Sequence, residues 1–280
     1  METIIGTSNR VLEINLSDKK FTEFTTFPDD RRLFLGGKGL GLKLLYDRLK
    51  PGTDPLGDEN ILIFMMGVFM GTGAPCSGRF AALTKSPLTG ILLSSSCGGP
   101  FGMAYKTAGY DGLIVTGRAE EPVYLRIDQS GVSFENAANL WGMDTEETQR
   151  AINPDGKGGA MAIGPAGENK VLFSNVASGD RFFGRGGIGA VMGSKNLKAV
   201  VAFGKAFKIT PVDKEAFNKI KRRAVRYINQ NIITAEQYRL YGTASNVDYC
   251  NDGNILPVLN FSDGHHEKAK FISGKYMKEK

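Results

Sequence analysis

The chain has 280 residues, a net charge of +6, 41% hydrophobic and 23% charged residues, which bounds it to one large or two ordinary globular domains with a real core. Its cations are mostly interspersed with acids and fit no nucleic-acid-binding module, and the longest apolar run, Ile61 to Met70, is broken by Gly67 and too short to span a bilayer. Glycine stands out at 36 residues, clustered and without a period, which excludes collagen and a linker.

Val11 to Leu16 and Phe21 to Phe27 alternate apolar and polar residues around the turn Ser17-Asp18-Lys19-Lys20, predicting a hairpin. Gly36-Gly37-Lys38-Gly39 opens a helical pattern over Leu40 to Leu49 that Pro51 and Gly52 stop. Ile61 to Met66 reads as a buried strand. Phe80 to Thr84 and Ile91 to Ser95 read as a pair joined by the turn Ser86 to Gly90, and Gly102 to Ala108 as a short helix. Strands follow at Gly112 to Thr116, Val123 to Ile127 and Val132 to Glu135, then a helix over Thr145 to Ile152 capped by Asp144 or Thr145. Further strands are expected at Ala160 to Ile163, Val171 to Val176 and Ala199 to Phe203, with a helix at Ile188 to Met192. Beyond Val212 the pattern turns helical, over Asp213 to Asn231 and Thr243 to Asn251, and ends in a basic, helix-like, uncapped tail from Phe271 to Lys280. The order of elements predicts an α+β fold: a sheet-rich domain over residues 1–208, then the start of an all-helical domain over 209–280. An echo between Phe34–Gly41 and Phe183–Gly189 suggests an internal duplication about a pseudo-twofold axis.

Cys76, Cys97 and Cys250 are far apart and form no CxxC pair, so a metal cluster built from this chain alone is not expected. An odd cysteine count without an apolar leader between Met1 and Arg10 points to a reducing, cytoplasmic location. His265 and His266 are the only histidines, adjacent in a polar stretch, which makes a Ser–His or Cys–His site a poor reading. Neither glycine cluster has the frame of a Walker A or a dinucleotide loop. The densest basic run, Lys219 to Arg226, reads as a solvated helix face. What remains is anion cradling. Ser94 to Gly102 and Arg181 to Gly189 are small-residue loops that run into helices, with Arg181, Arg185 and Arg79 beside them. Such loops let backbone N–H groups approach phosphate, and an arginine fork binds it bidentately. Two readings stand side by side: tight turns in a sheet-rich fold, or loops kept small for a ligand with more than one phosphate.

Longer stretches carry a resemblance: Gly71-Thr72-Gly73-Ala74-Pro75 with Ser77-Gly78-Arg79, Thr84 to Gly90, Gly98-Gly99-x-Phe101-Gly102, Ala108-Gly109-Tyr110-Asp111, Ile163 to Asn169, and Gly184-Arg185-Gly186-Gly187 through Ala199. Tyr241-Gly242-Thr243-Ala244 and Leu256-Pro257-Val258-x-Asn260-Phe261 extend it across the chain. Together they resemble the N-terminal part of the tungsten-dependent aldehyde ferredoxin oxidoreductases. The resemblance implies a base for a tungsten or molybdenum bis-pterin whose phosphates are bridged by Mg2+, the metal being held by the pterin dithiolenes with no protein ligand. It places Arg79 between pterin and an iron–sulfur cluster, Ser96 and Gly98 on pterin, phosphate or Mg2+, and Arg181, Phe182, Gly184 and Arg185 on the same group from the second loop. Ser96 and Phe182 depart from the Asn and Ala of several relatives, which backbone-carbonyl contacts tolerate. The implied reaction is oxidation of a small aldehyde to a carboxylic acid, with electrons passed to ferredoxin. A homodimer is a further expectation; nucleic acid and membrane are not expected partners. The family's C-x-x-C-x-x-x-C set for a 4Fe–4S cluster and its catalytic acid and histidine are not in these residues, so a continuation past Lys280 is expected and this portion is not expected to turn over alone. A thioester reductase of the same family and a non-catalytic pterin carrier are the alternatives.

Overall fold

The computed structural model describes residues 2–280, which divide into a unit up to Val212 and a second unit, Asp213–Lys280. The first unit holds β1 (Glu2–Ile5), β2 (Arg10–Asn15), β3 (Lys20–Thr25), α1 (Pro28–Phe34), α2 (Gly37–Arg48), β4 (Leu62–Met66), β5 (Phe80–Lys85), β6 (Leu92–Cys97), α3 (Pro100–Ala108) and β7 (Gly112–Thr116). It continues with β8 (Val123–Asp128), β9 (Gly131–Asn136), α4 (Thr145–Ile152), β10 (Gly159–Ala162), α5 (Pro165–Glu168), β11 (Val176–Ser178), β12 (Arg181–Phe183), α6 (Ile188–Ser194), β13 (Leu197–Ala202) and β14 (Phe207–Thr210). The sheet-rich half followed by helices is the α+β arrangement that the sequence predicts.

Two six-stranded sheets form, ordered β3-β2-β7-β4-β5-β6 and β9-β8-β13-β10-β11-β12. Their connectivity is the same. In each, the first and last strands of the set pair in parallel (β2 with β7, β8 with β13), and every other neighbouring pair is antiparallel. The unit is therefore built from two copies of one motif. Topology matches α3 with α6, so the loop Cys97–Gly99 corresponds to Gly184–Gly187. The echo between Phe34–Gly41 and Phe183–Gly189 aligns the wrong loops: the former enters α2, which follows the second strand of its set, and the latter enters α6, which follows the fifth.

The sheets face each other across one core. Leu62, Phe64 and Met66 of β4 enter it from one side, and Met161, Val176, Phe183 and Val200 from the other. The alternate residues Ile63 and Met65 pack instead with Leu40, Leu44 and Leu45 of α2 on the outer face. Burial on both faces explains why β4 is an unbroken apolar run. On the far side, Ile152 of α4 packs with Ala160, Ala162, Ala199 and Val201. Asp144 starts α4 with a capping box, its carboxylate accepting from Glu146 N and Glu147 N at 2.8 Å each.

One predicted strand is absent. Val171 to Ser174 turns rather than extends, with Val171 N donating to Ala166 O and Ser174 N to Val171 O, both 2.9 Å. Leu172 and Phe173 stay exposed, so this apolar run has no sheet face to cover, and the strand begins only at Val176. The parallel pair β1–β14 joins the two ends of the unit, a pairing without local signature.

The second unit contains α7 (Lys214–Gln230), a π-helical turn over Ile233–Gln237, α8 (Tyr238–Tyr241), a 3-10 turn over Gly242–Ser245, α9 (Asn246–Asp252) and α10 (Gly274–Glu279). The expected helix over Thr243 to Asn251 is thus split at Asn246. The tail is capped after all: the Ser273 hydroxyl accepts from Tyr276 N. His265 and His266 hold their loop to Asn251, through its backbone carbonyl (3.1 Å) and side-chain oxygen (2.8 Å). No helix among the described residues is long and apolar enough to cross a membrane.

Candidate functional site

Three aromatic anchors fix the segments around the arginines. Phe80 opens β5 directly after Arg79, Phe101 follows the Gly98–Pro100 loop, and Phe183 follows Phe182 on β12. Phe80 meets Phe101 at 5.6 Å and Phe183 edge-on at 4.9 Å between ring centroids. All three are buried. Their chain neighbours therefore emerge side by side at one end of the sandwich, where the edge strands β6 and β12 come together.

There Arg79, Gly98, Arg181 and Phe182 line one cleft of about 590 Å³, with Cys76, Gly78 and Asp180. Arg79 Nη1 donates to the carbonyl of Ser96 at 3.2 Å, which puts Ser96 at the rim of this cleft. Gly184 and Arg185 are not in its lining. They sit exposed on the loop from β12 to α6. So four of the seven site residues predicted from the sequence share a cavity, one is hydrogen-bonded to its arginine, and two lie further along the same loop. Sequence reasoning missed Cys76, Gly78 and Asp180 as lining residues. Their neighbours Arg79 and Arg181 were the available signal.

Gly99 shows why this loop needs glycine. Its φ is +94°, and a Cβ there would lie 2.0 Å from the Ser178 carbonyl oxygen. Ser178 in turn binds Phe101 N through its hydroxyl at 3.3 Å, tying the end of β11 to the start of α3. Gly184 is the opposite case: a Cβ there meets nothing within 4 Å. No packing requires glycine at this position, so the space over it is free for something else.

The electrostatics favour an anion. Among the described residues, Arg79, Arg181 and Arg185 form no ion pair, unlike Arg10, Arg31, Arg48 and Arg150. Cys97 lies under the cleft, its Sγ 3.0 Å from the Gly98 carbonyl. Burial pushes its thiol up to about 11, against the pull of the Arg79 and Arg181 cations. Cys97 is thus a core thiol and no nucleophile. Guanidinium groups and open glycine backbone suit phosphate oxygens, not a bare cation. Beyond Phe182 and Asp180 lies a second cleft of about 510 Å³ walled by Pro100, Thr145 and Gln149. A larger cleft, about 720 Å³, sits at the C-terminal end of α2 between Tyr46, Leu49 and Ile91. Its cations are already engaged, Lys85 by Thr53 O at 2.7 Å, Arg48 by Glu13 and Lys50 by Glu59, so the chemistry points to the smaller cleft.

The remaining recurrent motifs are structural. Asp111 of Ala108-Gly109-Tyr110-Asp111 is buried between Lys106 and Arg31 and accepts from Asn9 N at 2.6 Å. Glu168 of the Gly164–Asn169 segment pairs with buried Lys198 and accepts from Gly142 N. Lys195 is buried as well, donating only to the carbonyls of Gly117 (3.0 Å) and Asp58 (3.3 Å).

Residues 11–204 match the family described as aldehyde ferredoxin oxidoreductase, N-terminal domain. The chain belongs to that family. It is 38% identical over 281 residues to a tungsten-containing aldehyde ferredoxin oxidoreductase of Pyrococcus abyssi, covering 99% of this chain and 46% of the relative. The corresponding enzyme of Pyrococcus furiosus is 39% identical over 282 residues, with 98% and 46% covered. Among solved structures, the BamBC active-site complex of benzoyl coenzyme A reductase with 1,5-dienoyl-CoA aligns with a TM-score of 0.78 and 36% identity, over 80% of this chain and 35% of that one. The chain spans about half the length of the curated relatives it matches.

Proposed function

We propose that these residues form the base that holds a tungsten bis-pterin in an oxidoreductase acting on aldehydes. The observation that carries the reading is the convergence of Arg79 and Arg181, both free of ion pairs, with Gly98 in one cleft between equivalent edges of a duplicated fold. When bound, the cofactor supplies two-electron chemistry, in which an aldehyde and water become a carboxylic acid, two protons and two electrons. The chain's own part is to bind and orient. Arg79 and Arg181 neutralise phosphate charge, and the Arg79 guanidinium is itself aimed by the Ser96 carbonyl. Ser96 and Phe182 lie on the edge strands β6 and β12, and their backbone carbonyls would be the oxygen donors to Mg2+ held with the phosphates. Phe182 offers an exposed ring to a planar group. The 4Fe–4S cluster and ferredoxin belong to the reading through residues outside this chain, and three free cysteines fit a cytoplasmic setting. A second reading, reduction of an acyl or aromatic thioester, is favoured by the likeness to the benzoyl coenzyme A reductase complex.

The test is metal and pterin content. Protein made in a tungsten-supplied host that synthesises the cofactor is expected to carry tungsten and pterin phosphate, and Arg79→Ala with Arg181→Ala to lose most of both. Aldehyde-dependent against thioester-dependent turnover, assayed with the cluster-bearing residues supplied, then separates the two readings. Wild-type protein free of pterin under these conditions, or full occupancy in the double variant, overturns the proposal.

A further inference from the structure

Helix α7 carries an excess of cations. Between Lys214 and Gln230 there are six cations and one acid, a net +5 in a chain whose net charge is +6. The rest of Asp213–Lys280 is near balance, with seven acids against six cations. At 3.6 residues per turn the half-buried residues Phe217, Lys221, Ala224 and Ile228 fall in one stripe. Lys219, Arg222, Arg223 and Arg226 fall opposite it, within an arc of about 100°, and all four are exposed.

A merely solvated helix face mixes signs and gains from pairs three and four residues apart. This face has none. Lys219 with Arg222 and Arg223, and Arg226 with Arg222 and Arg223, are like-charge neighbours at that spacing, which destabilises a helix. Among the described residues no ion pair involves any of the four. Arg223 is ordered further by Tyr227, whose ring lies 5.3 Å from its guanidinium carbon and whose hydroxyl accepts from its Nε at 3.0 Å.

We infer that the Lys219–Arg222–Arg223–Arg226 face of α7 is the docking surface for an acidic iron–sulfur electron carrier. The inference rests on the proposed oxidoreductase reading, which requires such a carrier. Charge complementarity commits the face to it: a 4Fe–4S cluster held by four thiolates is anionic in both working redox states, and a face with four cations and one acid steers and orients an anionic partner. Duplex RNA and anionic lipid are the competing polyanions.

The experiment measures equilibrium binding of an oxidised, acidic 4Fe–4S ferredoxin to the whole protein by calorimetry. The wild type is expected to bind, weakening about tenfold or more between about 50 and about 300 mM salt. Arg222→Glu with Arg226→Glu is expected to weaken binding about tenfold or more at low salt, with the Gln pair intermediate, at unchanged helical circular dichroism. Lys20→Glu with Lys208→Glu, an equal charge change on exposed residues of β3 and β14, is expected to bind as the wild type. Absence of wild-type binding, wild-type affinity in the helix variants, or equal loss in the Lys20→Glu, Lys208→Glu pair overturns the inference. Helix-dependent binding of a short RNA duplex or phosphatidylserine vesicles without ferredoxin binding also overturns it. Tungsten content is measured on the same samples: ferredoxin binding without tungsten means that the cofactor reading has failed, and tungsten without binding means that only the docking face has.

Discussion

The Arg181 side chain runs across Gly98, and a Cβ built on Gly98 would sit 3.6 Å from Arg181 Cγ. The aliphatic stem of an arginine from one repeat thus lies against the glycine loop of the other. Arg79 comes from the first repeat and Arg181 from the second, so the cleft exists only because the edges β6 and β12 meet. Removing either cation leaves the core untouched. Arg79→Ala and Arg181→Ala are therefore expected to change stability by no more than about 0.5 kcal/mol. Loss of one charge-assisted bond is expected to weaken cofactor retention about tenfold. Thermal unfolding and tungsten content on the same samples check both halves, and a large stability loss in either variant means that the arginine is structural.

Two glycines of the site separate folding from binding. Gly99→Ala forces a side chain into positive φ and onto the Ser178 carbonyl, and is expected to cost on the order of 3 kcal/mol or more. Gly184→Leu places a side chain in open space and is expected to leave stability within about 0.5 kcal/mol of wild type while lowering pterin content. If Gly184→Leu unfolds the protein, or binds cofactor normally, the space over Gly184 is not part of the site.

Much of the fold was legible because its signals are local. β4 is apolar on both faces, β5 and β6 share a short turn, and α4 has its capping box. β11 and β12 are three residues each and too short for a period to show, and β1 finds β14 only through the folded unit. The duplication was legible in kind but not in register, because glycine spacing echoes between loops that occupy different places in the two repeats. At the site, arginines beside glycine loops marked the chemistry. That Arg79 and Arg181 share one cleft could not be read, since it depends on two sheet edges meeting. Nor could the fate of Lys195 and Lys198, which look like surface cations in sequence and are buried.

Lys195 gives a pH signature. Burial lowers its ammonium to about 8, with only a weak opposing pull from Asp58. Below pH 8 the amine is charged in both states and the burial cost is fully present. Between about 8 and the unfolded value of about 10.4, the native state has released a proton that the unfolded state still holds, so stability rises with pH. The gain is on the order of 2–3 kcal/mol. Lys195→Met removes it. Denaturant titrations at pH 7.5, 9 and 10.5 are expected to show a wild-type rise that the variant lacks, and parallel profiles would contradict the assignment.

Glu168 and Lys198 test whether a motif within the family resemblance is structural. Both side chains are buried, at 4% and 0% exposure, and each has further partners: Gly142 N donates to the carboxylate at 2.9 and 3.0 Å, and Lys198 donates to Met143 O at 2.8 Å. Together they tie α5 and β13 to the loop that leads into α4. Glu168→Ala leaves the ammonium without its counter-charge and Gly142 N without an acceptor, and is expected to cost about 3–5 kcal/mol. The pair Glu168→Leu with Lys198→Met removes both charges at similar volume and is expected to recover most of that loss, because the ion pair's own desolvation is removed with it. The cofactor cleft has no contact with either residue, so whatever fraction stays folded is expected to keep wild-type tungsten content. A double variant as unstable as Glu168→Ala shows that the hydrogen bonds to Gly142 and Met143, not the charge pairing, hold this corner. Loss of tungsten in the refolded double variant places the pair in the site after all.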